Sequence, residues 1–76
     1  MIINMRKMVA KQTGTISSID VEGELGRRIR DMGLTPGTEV TIQGRAPLLD
    51  PVAVRVRGFT LSLRNSEADF INVEVD

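Results

Sequence analysis

The stretch that decides the fold is VAVRVRGFTLSLR, which spans residues 52–64. Apolar and polar residues alternate on both sides of Gly58, and a period of two is typical of a half-buried β-strand. Gly58 lies where the chain must reverse, because glycine adopts the positive φ angles that tight hairpin turns require. Residues 52–64 therefore predict a tight β-hairpin.

Three more strands are predicted outside this hairpin. The same alternation recurs in EVTIQ at residues 39–43 and in FINVEV at residues 70–75, and a β-branched segment, TISSI, covers residues 15–19. Before the last strand, SEAD at residues 66–69 has the spacing of a helix capping box. These patterns predict five strands, with one helical turn before the fifth.

One α-helix is predicted between the first two strands. Leu25, Ile29 and Met32 follow one another at i, i+4 and i+7, so they share one helical face. Asp20 precedes this series, and an aspartate there is expected to cap the free amides of the first turn. Within the helix, Glu24 and Arg28 have the spacing of a favourable ion pair.

Four residues are assigned to backbone reversals rather than to binding. Gly33 follows the helical series, where a C-terminal cap in the left-handed conformation is common. Pro36 and Gly37 occupy the two central positions of TPGT, which favours a type II turn. Gly58 is the fourth, and we assign it to the turn of the hairpin. We expect all four to fix chain direction.

These elements predict a mainly β, small α+β fold, because five short strands with one helical excursion close, or nearly close, into a barrel. We expect residues 13–76 to form the single domain and residues 1–12 to be a partly ordered leader, with Met5 and Met8 packing on the edge of the domain. The residues expected to face inward are Ile16, Ile19, Val40, Ile42, Val54, Val56, Leu61, Leu63, Ile71 and Val73. Leu25, Ile29 and Met32 are expected to plug one end of the barrel.

Composition argues against catalysis, cofactors and metal. The 76 residues include no Cys and no His, which removes thiolate and imidazole ligands, cysteine nucleophiles and histidine bases. Ten basic residues balance ten acidic ones, whereas nucleic-acid binders usually carry a basic excess. No apolar run approaches the ~20 residues that span a bilayer. We expect a cytoplasmic protein, at most peripheral to the inner face of the cell membrane.

Four segments resemble the FeoA family. LGRRIRDMGLTPGTEV at residues 25–40 is similar to the family's helix and "GL-x-PG" turn, and the Ala-Pro and Asp-Pro pairs within residues 46–51 resemble its "aP…dP" loop. VRGFTLSLR at residues 56–64 resembles its hairpin, and SEADFINV at residues 66–73 resembles its closing strand. The resemblance implies an SH3-like barrel.

The resemblance also implies a function and a partner. FeoA-like proteins are cytosolic accessory proteins of bacterial ferrous iron transport, and the implied partner is the FeoB-type membrane transporter, whose cytoplasmic part binds GTP. An alternative remains, because the same module resembles the C-terminal domain of iron- or manganese-dependent transcriptional repressors. The chain would then be a regulatory module associated with such a repressor.

The candidate partner-binding segment is RAPLLDP, residues 45–51. Pro47, Leu48 and Leu49 are the expected apolar anchors, and Arg45 and Arg57 are the expected charged rim. The two leucines also have other readings, since they could fold back into the core or serve self-association.

A further candidate lies on the helix. Arg30 has no acidic residue at i±4, whereas its neighbours do, so it is the best interaction candidate among the helical arginines. No metal ligand and no cofactor site is assigned.

Overall fold

The computed structural model describes residues 1–45 and 50–76. Within those ranges it contains an antiparallel β-sheet of six strands, two α-helices and one 3-10 turn. The strands are β1 (Ile2–Asn4), β2 (Thr13–Ile19), β3 (Glu39–Arg45), β4 (Val52–Val56), β5 (Phe59–Leu63) and β6 (Ile71–Glu74). The helices are α1 (Gly23–Asp31) and α2 (Asn65–Ala68), and the 3-10 turn is Met5–Lys7.

The sheet confirms the predicted fold class. Its strand order is β1-β6-β2-β3-β4-β5, with α1 between β2 and β3 and α2 just before β6. The predicted hairpin is present, since Val56 pairs with Phe59 across a two-residue turn. Both turn residues have positive φ, 50° at Arg57 and 87° at Gly58, as tight hairpins with the right-handed strand twist require.

Two irregularities bend the sheet. The register of β2 against β6 shifts between Ile16 and Ser18, and the register of β3 against β4 shifts between Ile42 and Gly44. Such bulges bend a strand and increase its local twist, which lets short strands curve around a core.

The core draws buried side chains from β2 to β6, from both helices and from the segment between β1 and β2. The buried apolar residues are Met5, Met8, Ile16, Ile29, Leu34, Val40, Ile42, Val52, Val54, Val56, Leu63, Ala68, Ile71, Val73 and Val75. Most of the expected inward residues are among them. Ile19, Leu61, Leu25 and Met32 are only partly buried and pack against the edge of this cluster.

The N-terminal segment is part of the domain. β1 pairs with β6, with Ile2 opposite Glu74, and supplies a sixth strand where five were expected. Met5 is 0% exposed and Met8 is 1% exposed, so both lie inside the core and not merely at its edge. A strand of three residues is too short to show alternation, which explains why the sequence pattern did not reveal it.

Helix α1 ends in a Schellman motif. The amide of Leu34 donates to the carbonyl of Ile29 at 3.3 Å, and the amide of Gly33 donates to the carbonyl of Arg30 at 2.9 Å. Gly33 has a φ of 91°, which glycine adopts without the steric cost that other residues meet. This turn directs Leu34 back into the core.

The start of α1 differs from the expectation. The N-cap is Glu22, whose side chain makes no capping hydrogen bond, and the helix begins at Gly23. Asp20 does not cap the helix. Its amide donates to the carbonyl of Phe70 at 2.7 Å, which continues the pairing of β2 with β6 beyond Ile19. The Asp20 carboxylate accepts instead from the side-chain amide of Asn72 at 2.6 Å.

Helix α2 is also capped differently from the prediction. It begins at Asn65 rather than after Ser66. The carboxylate of Glu67 accepts from the amide of Arg64 at 3.0 Å, and the carboxylate of Asp50 accepts from the amide of Asn65 at 2.9 Å. An acid fifteen residues upstream thus supplies part of the cap, which local spacing does not indicate.

Candidate partner-binding site

Arg45 closes β3 and is tied to the protein's own backbone. It pairs with Val52 in the ladder to β4 and is half-buried. Its guanidinium donates to the carbonyls of Met5 at 3.0 Å, Arg6 at 2.7 Å and Met8 at 2.8 Å. It also donates to the side-chain oxygen of Asn65 at 3.1 Å. Through these contacts Arg45 holds the N-terminal segment around the 3-10 turn, residues 5–8, against the end of β3.

The expected anchors follow Arg45 directly. Pro47, Leu48 and Leu49 lie outside the described residues, so their assignment remains a prediction. The two ends of their segment are held by the domain, by Arg45 on the N-terminal side and by Asp50 at the start of α2 on the other. Arg45 and Asp50, which flank this segment, are therefore both fixed to the domain.

Arg57 lies at the other end of the same ladder. Val40 pairs with Val56 at the hairpin end, whereas Arg45 pairs with Val52 at the opposite end. The intervening length of β3 corresponds to about 16 Å at the usual rise of a strand. The Arg57 guanidinium donates to the hydroxyl of Thr38 at 3.3 Å. The structure does not bring Arg45 and Arg57 together as one rim.

Arg30 is exposed on the last turn of α1, where a cation interacts favourably with the helix dipole. Its guanidinium lies back along the helix, so that a Cβ atom built at Gly26 would be 2.9 Å from Arg30 Nη1. The neighbouring Arg28 reaches Glu67 of α2, with Arg28 Nη2 and Glu67 Oε2 3.5 Å apart. Among the described residues, the expected pair of Glu24 with Arg28 does not form within 4.0 Å.

A surface that sequence reasoning did not single out surrounds the N-terminal turn. A cavity of about 430 Å³ is lined there by Arg6, Lys7, Met8, Val9, Ala10 and Arg45. Val9 is 64% exposed although it is apolar. The sequence does contain one indication of this surface, because its first twelve residues hold three basic side chains and no acidic one.

A second recess lies between the two helices and the end of β5. Its volume is about 440 Å³, and its lining includes Arg28, Arg64 and Glu67. Glu67 is buried, and its Oε2 atom accepts no hydrogen bond although Arg28 lies close by. Charges of both signs line this recess, so it shows no preference for an anion or a cation.

Residues 1–45 and 50–76 contain no group of three acidic side chains placed to hold a metal ion. In the same ranges, neither helix is long and apolar enough to cross a membrane.

The FeoA domain profile matches residues 3–75, which is nearly the whole chain. This chain belongs to the FeoA family. The family is associated with ferrous iron transport, and the expected SH3-like fold is confirmed. A relative in Porphyromonas gingivalis, an Fe(2+) transport protein A/Fe(2+) transporter FeoB fusion protein, is 37% identical over 60 residues. The match covers 79% of this chain but only 7% of the fusion protein.

Solved FeoA structures superpose closely on this one. The FeoA-like protein of Clostridium acetobutylicum is 44% identical with a TM-score of 0.90, covering 97% of this chain and 86% of that one. FeoA of Stenotrophomonas maltophilia, a prokaryotic SH3-domain protein complexed with zinc, is 25% identical with a TM-score of 0.81. That likeness covers 95% of this chain and 89% of the other.

The fold also occurs inside a larger protein. IdeR of T. acidophilum is 26% identical with a TM-score of 0.87, over 99% of this chain and 34% of that chain.

Proposed function

We propose that this FeoA-family protein is a non-catalytic accessory subunit of a bacterial ferrous iron transport system. It binds the cytoplasmic GTP-binding part of a FeoB-type transporter and modulates that transporter. We place the protein in the cytoplasm, at most peripheral to the inner face of the membrane, and assign it no cofactor of its own.

One observation carries this proposal. In the Porphyromonas gingivalis relative, an Fe(2+) transport protein A and the transporter FeoB are parts of one fusion protein. Covalent linkage holds two domains at a high effective concentration, which benefits domains that work in contact. A FeoA chain that is not fused to FeoB would need a binding surface for FeoB in order to associate with it.

The docking segment that we propose is the loop of residues 45–51. Arg45 and Asp50, which stand at its two ends, both make hydrogen bonds to the rest of the domain, so the ends of the segment are already fixed before a partner binds. Pro47, Leu48 and Leu49 are the proposed anchors. Arg57 and Arg30 lie on other elements and remain secondary candidates, each to be tested by its own substitution.

The test measures binding to the transporter's soluble GTP-binding domain and to the full-length transporter in detergent. We expect Leu48→Asp combined with Leu49→Asp to weaken binding about tenfold or more, because charged side chains cannot enter an apolar interface without desolvation. A matched control is Phe59→Asp with Thr60→Asp, two exposed positions at the hairpin end. Circular dichroism would establish that both variants fold.

Two outcomes would contradict parts of the proposal. If the unmutated protein binds neither form of the transporter, the accessory function is wrong. If it binds, and the double-leucine variant binds equally well, the loop is not the docking segment. GTP hydrolysis by the transporter with and without the protein then shows whether binding changes nucleotide turnover.

The alternative is a regulatory module that associates with an iron- or manganese-dependent repressor. The likeness to IdeR of T. acidophilum favours it, because this fold is part of that larger chain. Pull-down with the repressor and a gel shift with operator DNA separate the two functions. A shift that depends on this protein, without transporter binding, would support the alternative.

A further inference from the structure

We propose that the N-terminal turn, residues 5–11, is a preformed anchor pocket for an acidic protein segment that carries one large apolar side chain. The apolar side chain enters the cavity beside Val9, and its acidic neighbours lie against Lys7 and Lys11. This inference rests on the proposed function, because it places the acidic segment on the transporter.

The cavity has the size and lining of an anchor site. Its volume of about 430 Å³ falls within the ~300–1,000 Å³ of typical binding pockets. Met8, Val9 and Ala10 supply an apolar wall, and the stems of Arg6 and Lys7 extend it. Apolar anchors in such pockets commonly carry most of the energy of an interface.

Charge selects the kind of partner. The chain as a whole is neutral, yet its first twelve residues carry Arg6, Lys7 and Lys11 without an acid. Arg6 has a long contact to Asp69, at 3.7 Å. Within residues 1–45 and 50–76, no carboxylate lies within 4.0 Å of the Lys7 or Lys11 ammonium group. An acidic partner would therefore gain two cations that are otherwise only solvated.

The shape favours a protein segment over a lipid surface. A bilayer is entered by side chains that protrude, whereas the apolar wall here lines one side of an open recess that a single projecting side chain can fill. Two lysines also contribute little to the attraction toward anionic lipids, because stable membrane attachment usually needs a larger basic cluster.

The pocket is already built in the free protein. Arg45 fastens the carbonyls of Met5, Arg6 and Met8. The side chain of Gln12 accepts from the amide of Val9 at 3.0 Å, and the amide of Lys11 donates to the carbonyl of Ile42 at 2.6 Å. A surface held this firmly loses little entropy on binding.

The pocket shares one residue with the proposed docking segment. Arg45 lines the cavity and is followed directly by residues 46–49. Arg45 therefore belongs both to this pocket and to the proposed docking segment.

The experiment uses the whole protein and both forms of the transporter, with the dissociation constant measured at low and at high salt. We expect Lys7→Glu with Lys11→Glu to raise the constant about tenfold and to flatten its salt dependence. The control, Arg27→Glu with Arg55→Glu, makes the same charge change elsewhere and should stay within about twofold of the unmutated protein. Val9→Lys should also raise the constant about tenfold, because it puts a charge into the apolar wall.

The other possible results contradict either the pocket or the proposed function. If the unmutated protein binds and the double-lysine variant binds equally well, the pocket inference is wrong and the accessory function stands. Tighter binding by Val9→Lys would mean that charge alone acts and no side chain is anchored. Binding to phosphatidylglycerol vesicles is the last test. If the lysine substitutions, and not the control substitutions, abolish vesicle binding while transporter binding is unchanged, the surface binds lipid and not a protein segment. If the unmutated protein binds neither form, the proposed function falls and the inference with it.

Discussion

Arg45 connects the candidate docking loop to the rest of the domain. Its guanidinium serves three backbone carbonyls of the N-terminal segment and the side chain of Asn65. Arginine suits this task because it offers five donors in a planar fork and stays charged at every physiological pH. An arginine predicted as a surface contact is therefore also an internal cross-link.

At this scale we predict that Arg45→Met lowers the free energy of unfolding by about 2–3 kcal/mol, because the carbonyls that it satisfies lose charged donors. Methionine keeps the apolar stem, so the loss reports mainly on the hydrogen bonds. Urea denaturation monitored by circular dichroism measures it. The exposed Arg55→Met is the control and should change stability by less than about 0.5 kcal/mol. Equal effects at both positions would show that these hydrogen bonds contribute little.

At the scale of elements, the turns connect the helix to the barrel. The amide of Thr38 donates to the carbonyl of Thr35 at 3.0 Å, which closes the turn that contains Pro36 and Gly37. The amide of Gly37 donates to the carbonyl of Ile16 at 2.8 Å, so the turn is also fixed to β2. This double attachment sets where β3 begins and hence the register of the barrel.

We predict that Gly37→Ala destabilises the protein by about 1–2 kcal/mol, since an L-residue meets a steric penalty at positive φ. Gly37 has a φ of 91°, and a Cβ built there meets nothing within 4 Å. The backbone conformation alone therefore causes the loss.

Gly44→Ala is the matched control for this substitution. An added Cβ at Gly44 also meets nothing within 4 Å, but the φ angle there is not positive. Thermal unfolding should show a lower Tm for the first variant and an equal or higher Tm for the second, because alanine restricts the unfolded chain. Equal shifts would contradict the conformational explanation.

At the scale of the whole molecule, the N-terminal segment is built into the fold. β1 adds to β6, and Met5 and Met8 are buried with side chains from β2 to β6. A chain of 76 residues has a small core, so two large buried side chains are a substantial part of it. The FeoA profile, which begins at residue 3, agrees with this extent.

We predict that Met5→Ala lowers the free energy of unfolding by about 2–4 kcal/mol through lost burial and the cavity that it leaves. Val9→Ala, at a position 64% exposed, should cost less than about 0.5 kcal/mol. Chemical denaturation of both variants tests the difference. A Met5→Ala variant as stable as the unmutated protein would mean that the segment is dispensable to the core.

The sequence by itself determined the elements whose signals are local. Alternation around Gly58 specified the hairpin, and the spacing of Leu25 and Ile29 specified the helix. Glycines at 33 and 37 marked the two reversals that follow, because only glycine adopts positive φ cheaply.

The tertiary structure alone decided what depends on residues far apart in the chain. In the folded protein the Asp20 carboxylate accepts a hydrogen bond from Asn72 instead of capping α1, and the Asp50 carboxylate helps to cap α2. The tertiary structure also separated Arg57 from Arg45 along a ladder, and it turned a short N-terminal segment into a strand and a basic pocket. The physical reason is that hydrogen bonds and burial between distant segments outweigh local preferences, and the spacing of residues along a chain does not record them.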